Sequence, residues 1–438
     1  MTAWVKPVVI TRRGEASSPH RDPDDSGRSD LLEQALAREN LQAALQRVKR
    51  NKGSAGVDGM TVAELPAFLR MHWPRLRGEL LDGTYRPQPV RRHMIPKPGG
   101  GERELGIPTV LDRFIQQALL QVLQPLIDPT FSDASFGFRP GRRAHDAIRR
   151  AQRYVEDGHR IVVDVDLEKF FDRVNHDILM DRLKRRVSDS RVLHLIRRYL
   201  DAGIMIHGIK CDRHEGTPQG GPLSPLLANV LLDDVDRALE KQGHRFVRYA
   251  DDCNVYVRSQ RAGERVLDSL RRHYARLKLT INEAKSAVAS VRGRSFLGFT
   301  FWRRSGEVRC AVSAKALTRL KDRLRTLTWR SRGRSIAQVV EDLRAFVPGW
   351  KAYFHLAQTP SVFADLDEWL RHRLRTLHLK HWRRGTTMYR ELRARGASLD
   401  DARRIAANSR RWWKNGGKAL NRVLPVAYFD RLGVPRLS

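Results

Sequence analysis

Cysteine is scarce in this sequence: Cys211, Cys253 and Cys310 are the only three in 438 residues, and no two form a Cys-x-x-Cys pair. A zinc ribbon or zinc finger is not signalled, and an odd, low count fits a reducing compartment. No apolar run approaches the ~20 residues of a membrane-spanning helix, although 41% of the residues are hydrophobic, enough for sizeable cores. The first thirty residues lack a signal-peptide core, and Glu15, Asp22, Asp24 and Asp25 argue against a transit peptide. The expectation is a flexible lead over 1–30 and a cytoplasmic chain with no membrane partner. There is no fixed-period repeat and no long low-complexity tract. Acids are the other shortage: 49 Asp+Glu face 82 Lys+Arg, a formal charge of +33. A chain so charged repels itself unless it meets a polyanion. Nucleic acid is the first candidate and an anionic membrane surface the weaker one. The length suggests two to four packed units.

Apolar spacing predicts a helix over Leu31–Arg50, with Asp30 as its cap, and another over Leu65–Leu81. Alternation around Pro98–Gly101 predicts two strands within Tyr85–Ile107, followed by a helix from Val110 to about Leu126. Ile161–Asp166 reads as a buried strand. Helical patterns then cover Asn175–Val187, Arg191–Asp201, Leu223–Glu240 and Leu267–Leu277. Phe246–Val257 reads as two strands meeting at a tight turn, and Phe296–Trp302 and Val308–Val312 as short strands. Beyond about residue 312 the character changes. Ala311–Ser438 holds 28 Lys+Arg against 10 Asp+Glu, so more than half of the excess charge lies there, with six of the nine tryptophans. The expected organisation is a mixed α/β core over 31–312 and a basic, mostly helical region over 313–438.

Within this basic chain a few acids occupy awkward places. Asp164 and Asp166 lie two apart in an apolar strand and so face one side. Asp251 and Asp252 are adjacent between Tyr249-Ala250 and Cys253-Asn254-Val255. Carboxylates crowded on a sheet raise one another's pKa, and a cation removes that cost. Few carboxylates with positions left for phosphate suit Mg²⁺. Two such ions ~4 Å apart serve in-line displacement at phosphorus. A lone Asp-Asp more often merely caps a hairpin. Here a second acid-bearing strand precedes it, with Gln219-Gly220-Gly221 between them.

Arg248–Val257 (RYADDCNVYV) resembles the YxDD hairpin of reverse transcriptases. Ile161–Asp172 (IVVDVDLEKFFD) resembles their first palm motif, and Gly216–Asp236 (GTPQGGPLSPLLANVLLDDVD) the one that follows. Ile95–Arg113, Ser135–Ile148, Leu279–Ser286, Phe296–Phe301, Gly349–Phe354 and Ala419–Leu437 are similar to bacterial group II intron-encoded reverse transcriptase/maturases, in the family's order. The resemblance spans Leu31–Ser438. It implies an α+β right-hand polymerase fold: fingers and palm with a small antiparallel sheet, then a helical thumb and RNA-binding X domain. It also implies an RNA-directed DNA polymerase that binds its group II intron RNA, assists splicing and copies the intron into cDNA for retromobility. Implied partners are intron RNA, a DNA target or primer, and deoxynucleoside triphosphates; implied cofactors are two Mg²⁺ ions. The oligomeric state is not signalled, and location on the nucleoid is expected when the protein is on DNA. Many relatives continue into an endonuclease region with His-Asn-His and paired cysteines; no such cluster appears here, so no endonuclease domain is expected.

Carried over residue by residue, the catalytic and metal-binding acids are Asp166, Asp251 and Asp252. Asp166 is preferred to Asp164 because an aromatic, Phe171, follows it by five positions, and Asp172 is expected to cap the next helix. Phe171 would sit under the sugar and exclude a 2′-hydroxyl; plain core is its bland alternative. Gln219 and Gly220 let backbone approach the nucleotide or template. Arg91, Lys97 and Arg103 on the fingers hairpin, and Lys285 in the palm, would meet the triphosphate. Arg139 and Arg142 resemble template contacts or a structural turn. In the tail, Arg371, Arg373, Arg375 and Lys380, interleaved with Trp369 and Trp382, would hold RNA phosphates and bases. The opposing reading makes Trp350 and Trp369 core, and one of Trp412 and Trp413 exposed. The alternatives to a mobile intron protein are a non-mobile reverse transcriptase used in host defence or repair, an RNA-binding splicing cofactor with a vestigial polymerase site, and an RNA-templated RNA polymerase. Phe171 speaks against the last of these, and the intact acids against a vestigial site.

Overall fold

A computed structural model of the chain describes residues 30–96, 100–206, 209–211, 215–217, 220–330 and 333–438. The strands among them are β1 (Val90–Pro96), β2 (Glu102–Ile107), β3 (Ile161–Val165), β4 (Ile204–Ile206), β5 (Ile209–Cys211), β6 (Arg245–Tyr249), β7 (Asp252–Val257), β8 (Ala287–Ser290), β9 (Phe299–Arg304) and β10 (Glu307–Val312). The chain forms two compact units, each discontinuous in sequence: 1–131 with 171–231, and 132–170 with 232–438.

The first unit holds the sheet β2-β1-β4-β5. Here β1 pairs antiparallel with β2 and parallel with β4, so this sheet is mixed. Its central helix, Val110–Ile127, starts where the Thr109 hydroxyl accepts from the Asp112 amide at 3.0 Å. Asp112 in turn accepts from the Thr109 and Tyr85 hydroxyls. The helix expected over Leu31–Arg50 is two helices, Leu31–Ala35 and Arg38–Asn51, because Ala37 is extended at ψ 145°. The Asp30 side chain makes no cap bond.

The second unit holds the antiparallel sheet β6-β7-β3-β8 and the ribbon β10-β9. Apolar side chains on both faces of β3 explain its unbroken Ile161-Val162-Val163 run. Val162 packs with Ala147, Ile148 and Ala151 of helix Ala144–Glu156. Ile161 and Val163 lie against Gly263 of helix Gln260–Arg276, where a Cβ would come within 2.3 Å of Val288. The helices beyond Ser313 bury a separate core running from Leu320 to Leu437. No described helix is long and apolar enough to cross a membrane.

Candidate active site

The sheet β6-β7-β3-β8 places the acids. β3 is a central strand, paired with β7 on one side and β8 on the other. Asp164 is its fourth residue, and Asp166 follows the strand's end. β6 and β7 close in register at Tyr249 and Asp252, leaving Ala250-Asp251 as the turn. Ala250 takes φ +58°, a left-handed conformation uncommon outside glycine.

Beyond β3 the chain is knitted to the segment Thr280–Ser286. The Glu168 amide donates to the Thr280 carbonyl at 2.9 Å, Leu167 bridges Ile281, and the Asn282 amide donates to the Asp166 carbonyl at 2.8 Å. The Asp166 amide donates to the Ser286 hydroxyl at 3.0 Å. This stitching brings the Lys285 ammonium to 3.1 Å from Asp166 Oδ2. That oxygen is shielded from water and accepts no hydrogen bond from the described residues. Asp164 is held differently: Arg294 donates to its Oδ2 at 2.9 and 2.6 Å and also to the Lys285 carbonyl at 2.6 Å. Burial raises the Asp164 pKa, and Arg294 opposes the rise.

Asp252 keeps an open flank to solvent, yet its carboxyl is pushed up to about 7. Lost hydration is the main cause, followed by the charges of Asp251, Asp166 and Asp164; Lys285 works the other way. Among the described residues no three His, Cys, Asp or Glu side chains already surround a metal position. The acids nonetheless fit Mg²⁺, which takes one or two carboxylates and completes its shell with water and phosphate oxygens. The crowded Asp252 carboxyl gains from a cation, and a metal would share the Asp166 oxygen that Lys285 pairs with. Asp252 of the metal-free protein should therefore titrate near neutrality. Mg²⁺ should lower that titration, release a proton at pH 7 and bind more tightly as pH rises through 7. Carboxyl ¹³C chemical shifts measured with and without Mg²⁺ check this; an ordinary carboxylate titration in both would contradict it.

Other expected site residues are distributed over the first unit. Arg91 and Arg103 are exposed on β1 and β2, and the register Arg91↔Ile107 and Ile95↔Arg103 puts them on one face of the hairpin. Lys97 and Gln219 lie outside the described residues. Gly220 takes φ +138°, and a Cβ there would meet the Gly106 carbonyl at 2.8 Å, so protein backbone already requires this glycine. Of the aromatic pair after β3, Phe170 is buried and Phe171 only half-buried. The Phe171 carbonyl accepts from the Thr217 amide at 2.7 Å. Asp172 does not cap the next helix. It ends the short turn Phe170–Asp172, and Asn175 caps helix His176–Lys184 by accepting from the Ile178 amide at 3.1 Å.

Several expected RNA contacts are structural. Arg139 is 7% exposed and donates to the Ser132 and Ser135 carbonyls. Arg142 pairs with Asp133 at 2.7 Å and packs over Phe136. Arg371 is 2% exposed and pairs with Asp367 at 3.0 Å and Asp430 at 3.3 Å. Arg375 is 3% exposed, packs over Phe429 and donates to the Leu424 carbonyl; burial pulls its pKa down to about 10. Arg371 and Arg375 thus belong to the core and cannot face a polyanion. Arg373 is half-buried, bound to Thr328 and packed on Trp369. Lys380 lies over Trp412 at 4.3 Å, with Arg330 over the same ring at 5.5 Å. Trp350 and Trp369 pack against the C-terminal core, while Trp413 is 48% and Trp329 58% exposed. Residues that sequence reasoning missed are Arg294, Ser286, and the buried pair Arg248–Asp236 behind the turn.

The fold and site define a reverse transcriptase palm followed by a basic helical region, and comparison with known proteins agrees. Residues 95–301 match the family described as reverse transcriptase (RNA-dependent DNA polymerase), and residues 317–396 the group II intron maturase-specific domain. The chain thus carries a region that matches the reverse transcriptase family and a second that matches the group II intron maturase-specific domain. It is 39% identical over 218 residues to Protein YkfC of Escherichia coli (strain K12), covering 48% of this chain and 57% of that protein. It is 36% identical over 206 residues to the group II intron-encoded protein LtrA of Lactococcus lactis subsp. cremoris, covering 47% of this chain and 34% of that one. The chain thus spans less than two thirds of these relatives. Among solved structures, a partial Cas6-RT-Cas1–Cas2 complex aligns with 57% of this chain and 43% of its own, at 27% identity and a TM-score of 0.37.

Proposed function

We propose that this chain is an RNA-directed DNA polymerase that binds group II intron RNA, assists its splicing and copies it into cDNA. The observation that carries this reading is that Asp166, Asp251 and Asp252 stand at one end of the antiparallel sheet β6-β7-β3-β8, with Lys285 at 3.1 Å from Asp166. Asp166, Asp251 and Asp252 would hold two Mg²⁺ ions. When bound, these supply Lewis-acid activation of the primer hydroxyl and stabilisation of the leaving pyrophosphate. Lys285, 3.1 Å from Asp166, would meet the triphosphate from the same side. Arg91, Arg103 and Lys97 neutralise triphosphate charge from the fingers hairpin. Phe171 would line the sugar site, and Gly220 would let backbone approach the nucleotide or template.

The region from 313 onward serves as the RNA-binding surface, and the partner is a structured RNA rather than a membrane. Of the contact residues expected on sequence Lys380 is kept, and Arg330, Trp413 and Trp329 join it. Arg325 and Arg373 both pack over Trp369, and Arg330 and Lys380 over Trp412, so cations and aromatics alternate here. Exposed aromatics beside such cations stack unpaired bases while the cations meet phosphates. Replacing Trp413 and Lys380 together by Ala should weaken intron-RNA affinity about tenfold or more, since one stacked base is worth ~1–3 kcal/mol. The melting temperature and primer extension on an unrelated primed template should stay near wild type. Equal loss on every template would make this surface a polymerase thumb only.

A further inference from the structure

An arginine inside a buried strand needs a reason. Arg248 stands in β6 between Val247 and Tyr249 and is 1% exposed. Its guanidinium grips Asp236 of helix Ser224–Lys241, with Nε at 2.9 and 3.0 Å from the two carboxylate oxygens and Nη2 at 2.6 Å. Asp236 is fully buried. Stability alone does not explain such a pair, because taking both charges out of water costs about as much as their attraction returns. The third branch gives a reason: Nη1 donates to the Ala250 carbonyl at 2.8 Å. Ala250 is the turn residue at φ +58°, directly before Asp251 and Asp252.

The turn is backed from a second side. Arg248 exchanges backbone hydrogen bonds with the Ala134 carbonyl and the Phe136 amide, both 2.9 Å. That places Gly137 so close that a Cβ on it would lie 2.1 Å from the Ala250 nitrogen. The strained residue is therefore held at its carbonyl by Arg248 and walled at its amide by Gly137. An unsupported left-handed alanine would relax, and the carboxylates after it would move. Displacements of ~1 Å in a reacting constellation can cost ~10²-fold in rate.

We propose that Arg248, oriented by Asp236, is a positioning residue that fixes the Ala250 turn and thereby the places of the Asp251 and Asp252 carboxylates. This rests on the reading of those acids as catalytic, and the experiment separates the two. The variant is the double substitution Arg248→Met with Asp236→Leu, which removes both buried charges together. Isosteric apolar replacement of a buried pair usually preserves the fold. The expected result is unchanged RNA affinity and cooperative unfolding, with kcat for primer extension down about 10–100-fold. KM for template-primer should not change, and half-saturating Mg²⁺ should be several-fold higher. Backbone amide exchange across Ala250–Cys253, measured without metal or nucleotide, should accelerate relative to β3. Arg248→Lys, which keeps the charge but cannot make the fork and the third bond together, should show the same loss of kcat in smaller measure. If the double variant does not fold, Arg248→Lys carries the test alone. A folded variant with wild-type kcat, Mg²⁺ dependence and turn exchange overturns the proposal. A wild-type protein that extends no primer overturns the catalytic reading instead, and exchange at the turn still decides whether the clamp exists.

Discussion

Replacing Asp251 or Asp252 by Asn should cut primer extension by about a thousand-fold or more while leaving RNA affinity within about twofold. The magnitude follows from what is lost. Single preorganised groups that stabilise transition-state charge are each worth ~10²–10³ in rate, and here each carboxylate would also hold the metal. Asn keeps the shape and hydrogen-bonding capacity but removes the charge. The Asp252 carboxyl is pressed by Asp251, Asp166 and Asp164. Removing Asp251's charge should therefore lower the Asp252 pKa, while Mg²⁺ affinity still falls because a ligand is gone. RNA affinity is set by cations elsewhere in a chain of net charge +33, which one acid barely alters. Retained extension in either variant would remove these acids from the chemistry.

Arg371→Ala should destabilise the C-terminal helical region by ~3–5 kcal/mol, the usual cost of removing one partner of a buried ion pair. Arg371 ties Asp367, 7% exposed, to Asp430. Asp367 also accepts from the Leu437 and Ser438 amides at 2.9 and 2.8 Å, so the loss spreads to the last residues. Chemical denaturation monitored at the tryptophans measures the effect. RNA affinity should fall only as far as the folded fraction falls. A variant as stable as wild type but weak for RNA would make Arg371 an RNA contact after all.

The contrast between Arg371 and Lys380 shows where sequence reading stopped. Both lie in helix Pro360–Trp382, whose stretch Leu374–Leu379 is buried at every position. A helix covered all round gives no clean apolar stripe, so its arginines look like a solvated face. One signal was present: Asp367 and Arg371 stand four apart, a spacing that pairs charges on a helix. The Ala144–Glu156 helix is equally hard to read, because Arg149, Arg150 and Arg153 interrupt the stripe of Ala147, Ile148, Ala151 and Tyr154. The acids were legible because charge inside Ile161–Val165 and beside Cys253–Val257 is costly without a purpose. Arg248 carried the same signal, an ionised side chain in an apolar strand, and its partner could have been sought among Asp233, Asp234 and Asp236. Strand β8, four short residues, lacks any alternation to read and is defined by its pairing with β3.

Extension of a DNA primer on an RNA template by the purified protein in Mg²⁺ tests the central claim most directly. Deoxynucleotides should be incorporated, ribonucleotides should be strongly disfavoured, and chelation of Mg²⁺ should stop the reaction. A folded, RNA-binding protein that extends no primer would contradict the polymerase assignment, and equal use of both nucleotide classes would contradict its assignment to DNA synthesis.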